Sequence, residues 1–280
     1  MNKFKYQFEP YSGVKSRHTC PSCNRKNCFT RYVDVNGNYF GNDIGCCDHI
    51  LSCGFHRKPD TTVNLEPIKV SYIKKPPTFI KDFSNIDEHP NGNLFRSLLK
   101  HFPESEVLDV YKRYKVSSTS LKWANSEIFP QVDLDGNWRT AKIMLYDDNG
   151  KRVKHPYSHV SWIHSKINDY VLEQCLFGLH LVTDDVNDIF IVESEKTAII
   201  CSLFFKDSIF LATGGLNNVK KDKFKDIAYK RVVAIPDKCA YDVWYKAFTD
   251  LNVRISRILE DNDEVKAGED FADYLLNEKK

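Results

Sequence analysis

The sequence predicts an α/β chain laid out in three steps: a small ribbon stapled by cysteines, an α+β segment, and a Rossmann-like domain with a parallel sheet. Three observations carry this prediction. Over residues 185–280, short apolar runs are each followed by a loop and a segment of helix length, the pattern of parallel strands joined by crossovers. From Phe129 onward, alternating residues are punctuated by turns at Asp135-Gly136-Asn137 and Asp147-Asp148-Asn149-Gly150, the mark of an antiparallel meander. Near the N-terminus, Cys20-Pro-Ser-Cys23 is followed about twenty-five residues later by a second cysteine group.

A chain of 280 residues with 42% hydrophobic and 28% charged residues has the composition of a globular protein with more than one domain. No apolar run approaches the roughly 20 residues of a membrane span, so no membrane partner is expected. The start MNKFKYQFEPYSG has no apolar signal core, which leads us to expect a cytoplasmic protein. In such a reducing compartment nine cysteines point to metal rather than disulfides. A formal net charge of +2 excludes a global electrostatic case for nucleic acid. The basic excess is local: nine Lys and Arg against five Asp and Glu over residues 1–60.

In the first segment, the thiolates of Cys20 and Cys23 can reach one tetrahedral zinc ion, and a second pair must come from farther on. Cys53 is one candidate. Cys46 and Cys47 are equal on spacing, and Cys28 and His56 remain further candidates. Phe29–Val33 and Gly37–Phe40 read as the hairpin between the pairs. Arg25, Arg31 and Tyr32 are the candidate contacts to nucleic acid here, cations for phosphate and a ring for stacking. A zinc tetrathiolate carries about two negative charges, so neutralising it is the competing use for the same cations.

The prolines between Arg57 and Asn91 mark a connector. Leu94, Phe95, Leu98, Leu99 and Phe102, then Val107, Leu108, Tyr111 and Tyr114, recur at helical spacing on either side of Pro103 and predict two short helices. The meander follows. His155, His159 and His164 lie in a strand-like segment and are expected to make local hydrogen bonds rather than a second metal site. Strands are expected at Ile189–Val192, Ile209–Ala212, Arg231–Ile235 and Val253–Ile258. The domains are thus expected at 1–60, 92–184 and 185–280, with a linker at 61–91.

The first three of these strands end in Glu193, in Thr213-Gly214-Gly215, and in Pro236-Asp237. A carboxylate, a glycine turn and a second carboxylate at parallel strand ends are the groups a Mg²⁺- or Mn²⁺-dependent phosphoryl-transfer site needs. Lys142 and Lys196 are candidates to steady phosphates, and Arg139 is grouped with Lys142 as a candidate contact to nucleic acid. The run Lys220, Lys221, Lys223, Lys225 is expected to be a solvated face.

This arrangement resembles the toprim fold of bacterial-type primases, topoisomerases and related nucleases. The whole chain is similar to primase-like toprim proteins of Bacteroidetes mobile elements, through CPSC, FTRY, KIMLY, VESEKTAI and IPD. The resemblance implies Glu193 as the metal-linked acid or base, Asp237 as a magnesium ligand, and Cys47, six positions before Cys53, as the third zinc ligand. It departs at Cys239, where the family carries a second aspartate. Asp270 and Asp273 are candidates to replace it, Glu195 is another, and Asp242 is expected on the following helix. The function implied is primer synthesis on single-stranded DNA from nucleoside triphosphates, with RNA as the other template candidate. The sequence holds no Gly-x-x-x-x-Gly-Lys-Ser/Thr loop, so a helicase would be a separate partner. A toprim nuclease and a non-catalytic nucleic-acid-binding protein are the alternative functions.

Overall fold

The computed structural model describes residues 6–49, 52–60, 76–84, 86–87, 89–186, 188–248, 251 and 253–278. The chain divides into two compact units, Met1–Pro76 and Pro77–Lys280. Residues 61–75 of the expected linker lie outside the described residues. From Thr78 onward the chain is bound to the second unit, with Thr78 N–H donating to Val171 O and Ile80 N–H to Trp138 O.

The first unit is a four-stranded antiparallel sheet in sequence order: β1 (Gln7–Phe8), β2 (Phe29–Val33), β3 (Gly45–Cys47) and β4 (His56–Arg57). The partner of β2 differs from the expected hairpin. Residues 37–40 contribute only an isolated bridge between Val33 and Tyr39, and the pairing strand is β3, with Phe29 opposite Cys47. Asp34 explains the detour: its Oδ1 accepts the N–H groups of Asn36 and Asn38, tying off a tight turn before a second strand can extend. Gly45 makes the substituted pairing possible, because a Cβ there would overlap the Thr30 carbonyl and the Phe29 ring.

In the second unit, α1 (Asn93–Leu98) and α2 (Glu104–Arg113) precede an antiparallel sheet of β5 (Ser117–Thr119), β6 (Ser126–Val132), β7 (Trp138–Met144) and β8 (Val160–Trp162). Pro130 is tolerated in β6 because β5 pairs only with Ser126–Ile128, leaving the proline no ladder bond to donate. The parallel sheet follows in the order β10-β9-β11-β12, with β9 (Asp188–Val192), β10 (Ile209–Ala212), β11 (Arg231–Ala234) and β12 (Val253–Ile255). Helices α3 (Glu195–Phe204) and α4 (Tyr241–Phe248) connect β9 to β10 and β11 to β12, and α5 (Phe271–Glu278) ends the order. The connection from β10 to β11 is a 3-10 run, Lys221–Ile227, in which buried Phe224 and Ile227 share a ridge three residues apart.

Both faces of the parallel sheet are covered, as this class of sheet requires. One core joins α1, α2 and α3 to Phe129, Phe177 and Phe210; the other joins Leu176 and Ile189 to Phe224, Trp244 and Phe248. Tyr114 links the layers, its hydroxyl meeting Ser202 Oγ at 2.8 Å and donating to Phe210 O at 2.8 Å.

Glu127 on β6 is fully buried and supplies the cap that α1 lacks from its own sequence. Its Oε1 accepts the N–H groups of Leu94 and Phe95 at 2.7 and 3.1 Å. Burial pushes its carboxyl up to about 8, against the pull of those two N–H groups. A carboxyl raised on folding contributes stability below its ordinary pKa near 4.5 and loses it as pH climbs through about 8. Glu127→Gln keeps the accepting oxygen. We expect this variant to melt close to wild type at pH 6 and above it at pH 9, read by thermal denaturation at both pH values.

Candidate functional site

In the first unit, two turns bring four cysteines together. Asn24 N–H donates to Cys20 O and Cys20 N–H to Arg25 O, with Asn24 in the left-handed region at φ 56°, so the first pair folds into a tight knuckle. Cys53 and Gly54 N–H both donate to His49 O, closing the second turn, and Cys47 N–H donates to Phe55 O. The ligand atoms of Cys20, Cys23, Cys47 and Cys53 all lie within 4.8 Å of one another. Two of the Sγ separations are 3.8 and 4.0 Å. A Zn–S bond of about 2.3 Å places the corners of a tetrahedron about 3.8 Å apart, so these two edges already match a zinc cage.

Strand alternation settles the choice between neighbours, since Cys46 and Cys47 point to opposite faces of β3. Cys28 lies 3.9 Å from Cys47 Sγ but turns its thiol to Arg25 O. His56 Nε2 is occupied by the Tyr32 hydroxyl at 2.9 Å. That leaves Tyr32 a buried packing group, stacked on Phe8 at 4.2 Å, rather than an open platform for a base. Arg31 lies over the Tyr39 ring, and Arg25 is exposed.

In the second unit, β9 and β11 are parallel neighbours, and the chain following them carries Glu193 and Asp237 side by side. Glu193 is 7% exposed and Oε1 accepts the Trp244 indole N–H at 3.1 Å. Burial raises its pKa, opposed by that indole and by the Asp237 N–H. Asp237 is pushed up to about 8, first by burial and then by the charges of Glu193, Asp270 and Asp273, with Lys196 pulling the other way. Trp244 was not apparent as a site residue in the sequence. A buried indole must find an acceptor, and its place on the helix after Asp237 is the signal that points to Glu193.

Asp270 and Asp273 have a second occupation. Asp270 Oδ1 accepts Asp273 N–H at 2.9 Å and Asp273 Oδ2 accepts Asp270 N–H at 3.3 Å, a reciprocal cap on α5. The other Asp270 oxygen accepts the Thr197 hydroxyl at 2.7 Å. Cys239 is exposed at φ 71°, its N–H held by Glu260 Oε2. Asp242 lies on α4. Among the described residues the four cysteines are the one group of three or more donors drawn into a single ligand sphere. Glu193 and Asp237 thus stand as a pair of carboxylates, with no third acid drawn into one ligand sphere with them among the described residues.

Beside this pair, Lys142 on β7 is buried, with Nζ 2.7 Å from Glu195 Oε1 and donating to Gly214 O at 2.8 Å. Gly214 has φ 81°, and a Cβ there would press on both side chains at 3.1 and 3.2 Å. Glu195 is thereby committed to Lys142. Lys196 Nζ approaches Asp273 at 3.9 Å. Arg139 is held by Asp133 at 2.7 Å and Glu173 at 3.2 Å, so its charge is spent inside the fold. His164 Nδ1 meets Thr140 Oγ1 at 2.5 Å, and His159 Nδ1 meets Tyr157 O at 2.9 Å.

Residues 92–238 match a family model described as a domain of unknown function, DUF6371, and residues 4–68 match a zinc beta-ribbon finger model. No curated protein matches the sequence. Among solved structures, the primase fragment of the bacteriophage T7 primase-helicase protein aligns over 94% of this chain and 95% of its own, with 13% identity and a TM-score of 0.47. The DnaG catalytic core aligns over 66% and 73%, with 13% identity and a TM-score of 0.44. An Aquifex aeolicus primase comprising zinc-binding and RNA polymerase domains aligns over 69% and 50%, with 15% identity and a TM-score of 0.32.

Proposed function

The chain belongs to the DUF6371 family, whose model spans more than half of it, and from that starting point we propose a primase-like nucleotidyltransferase with a toprim-type site. The observation that carries this reading is the acidic pair at adjacent parallel strand ends, Glu193 buried and Asp237 half-buried, with the Asp237 carboxyl pushed up to about 8. Folding places these two carboxylates together against their own repulsion, and Lys196 is the cation that partly relieves it.

A divalent cation bound there would neutralise charge on the transferring phosphate and on the departing pyrophosphate. The protein's own groups do the rest. Trp244 fixes Glu193 through one oxygen, leaving the carboxylate to take the proton of an attacking 3′-hydroxyl. Asp237 holds the cation's side of the site. The zinc ribbon, with exposed Arg25, contacts single-stranded template, and unwinding is left to a separate helicase.

The test is primer synthesis on single-stranded DNA with nucleoside triphosphates and Mg²⁺ or Mn²⁺. Glu193→Ala and Asp237→Ala are each expected to reduce it by about a hundredfold or more. Equal activity in wild type and Glu193→Ala would remove Glu193 from this role. The engagement of Asp270 in its own cap, together with Cys239, favours a second reading: a non-catalytic nucleic-acid-binding protein. That reading predicts no primer from wild type, and binding that survives both alanine substitutions but falls with added salt.

A further inference from the structure

Residues 149–168 contain no aspartate or glutamate, in a chain that balances 38 acids against 40 Lys and Arg. The segment carries Lys151, Arg152, Lys154 and Lys166, all exposed, and none of the four has an ion pair among the described residues. Arg139 and Lys142, by contrast, are each held by carboxylates. Asp147, just ahead of the segment, spends Oδ1 on the N–H groups of Asn149 and Lys151.

The fold sets this charge beside a row of rings. Strand β8 is the edge of the antiparallel sheet, with Trp162 opposite Lys142 and Val160 opposite Met144, and a bridge between Tyr146 and Arg152 continues the ladder. Alternation gives these pairs one face, and Met144, Tyr146 and Val160 pack into the same core on it. Arg152, Trp162 and His164 therefore follow one another along that edge. The Trp162 and His164 ring centres are 5.7 Å apart, and His164 stacks on Tyr170 at 5.3 Å and 23°. All three rings are half-buried. Their edges are fixed, since His164 Nδ1 meets Thr140 Oγ1 and the Tyr170 hydroxyl donates to Arg139 O at 2.6 Å. Burial lowers the His164 pKa, so at neutral pH it is an uncharged ring.

One end of the row reaches the acidic strand end. Lys142 Nζ lies 5.6 Å from the centre of the Trp162 ring and donates to Gly214 O at 2.8 Å, and Gly214 N–H donates to Glu193 O at 2.9 Å. Rings with fixed edges and partly open faces, beside cations that no acid compensates, suit one class of partner. Bases stack on the rings while phosphates meet the cations, and a base is free to stack in this way only where it is unpaired.

We propose that Trp162, His164 and Tyr170, with Arg152, Lys154 and Lys166, form a track for single-stranded nucleic acid that leads to the Glu193 strand end. The track rests on the proposed function only in that the chain handles nucleic acid, and it holds whether or not primers are made. Lys142, already compensated by Glu195, borders the track without joining it.

Fluorescence anisotropy of the full, zinc-loaded chain without Mg²⁺ or Mn²⁺ tests the proposal, using labelled single-stranded DNA, single-stranded RNA and duplex DNA of equal length. Single strands are expected to bind about tenfold or more tightly than duplex, and the tighter of the two single strands names the occupant. Trp162→Leu should weaken that binding by about tenfold, and Trp162→Phe should keep most of it. Arg152→Gln combined with Lys154→Gln should weaken it too, and should lower the slope of log affinity against log salt by about 0.7 for each cation removed. The double variant alters only exposed side chains, so it decides the matter even where Trp162→Leu fails to fold. Glu193→Ala leaves the strand bound, so the two readings separate: primer synthesis with binding indifferent to the track variants removes the track alone, and binding that depends on them without primer synthesis removes the polymerase alone. No binding of either single strand by wild type, duplex bound as tightly as single strands, or equal affinity and salt slope in wild type and the double variant overturns the proposal.

Discussion

Removal of zinc is expected to unfold the first unit while leaving the second folded. The zinc ligands sit in the ribbon's buried apolar cluster, Cys20, Cys28, Phe29 and Cys47 with Cys23, Cys53 and Phe55 against it, and Tyr32, Val33, Tyr39 and Ile44 are the other buried apolar side chains described in the ribbon. A core this small cannot offset the chain entropy of ordering the strands, and apparent zinc binding energies of roughly 10–16 kcal/mol in comparable ribbons make up the difference. The experiment has a built-in separation of signals. All four tryptophans, Trp123, Trp138, Trp162 and Trp244, lie in the second unit. Chelation should release one zinc per chain and abolish the far-ultraviolet signal of the ribbon, with tryptophan fluorescence unchanged. Cys20→Ser or Cys53→Ser should mimic chelation, whereas Cys46→Ser should retain the metal. Retention of ribbon structure after zinc is lost would show that the core suffices alone.

The second large effect is expected at Asp237. Its folded pKa is raised from the ordinary 3.8 to about 8, by burial first and by three neighbouring acids after that. The sign follows from linkage: a raised carboxyl contributes stability below about 3.8 that is lost as pH rises through about 8. Asp237→Asn removes the repelling charge, and we expect it to stabilise the second unit at pH 9 by on the order of 2 kcal/mol, with little change near pH 5. Wild type should gain thermal stability on adding Mg²⁺ at pH 8, and the variant should not. A variant less stable than wild type at pH 9, or one that still responds to Mg²⁺, would show that Asp237 is not part of a strained cation site.

What the sequence disclosed about this fold is what local spacing can encode. The CPSC knuckle and the short apolar strands are contiguous patterns, and the structure has the knuckle and four parallel strands of three to five residues, with β11 ending at Ala234 and β12 at Ile255, short of the expected Ile235 and Ile258. Strand partnership is different, because it depends on distant residues. Phe29–Val33 pairs with Gly45–Cys47 because Asp34 closes its own turn and Gly45 admits a close backbone, neither of which is periodic. The same holds for the site. Arg139 looks like a free cation until the fold supplies Asp133 and Glu173, and Lys223 looks solvated until a 3-10 run turns its amine inward. Short strands β5 and β8, three residues each, carry too little alternation to announce themselves.

The adjacent thiols of Cys46 and Cys47 have a consequence for how the ribbon assembles. A strand slipped by a single residue would turn Cys46 toward Cys20 and Cys23, inverting every side chain of β3 while still offering zinc four sulfurs. Metal capture alone therefore does not tell the two registers apart, and the discriminating element is Gly45, since a slipped ladder would bring a side chain against the Thr30 carbonyl where only hydrogen fits. Accuracy in this module resides in a residue that never touches the ion.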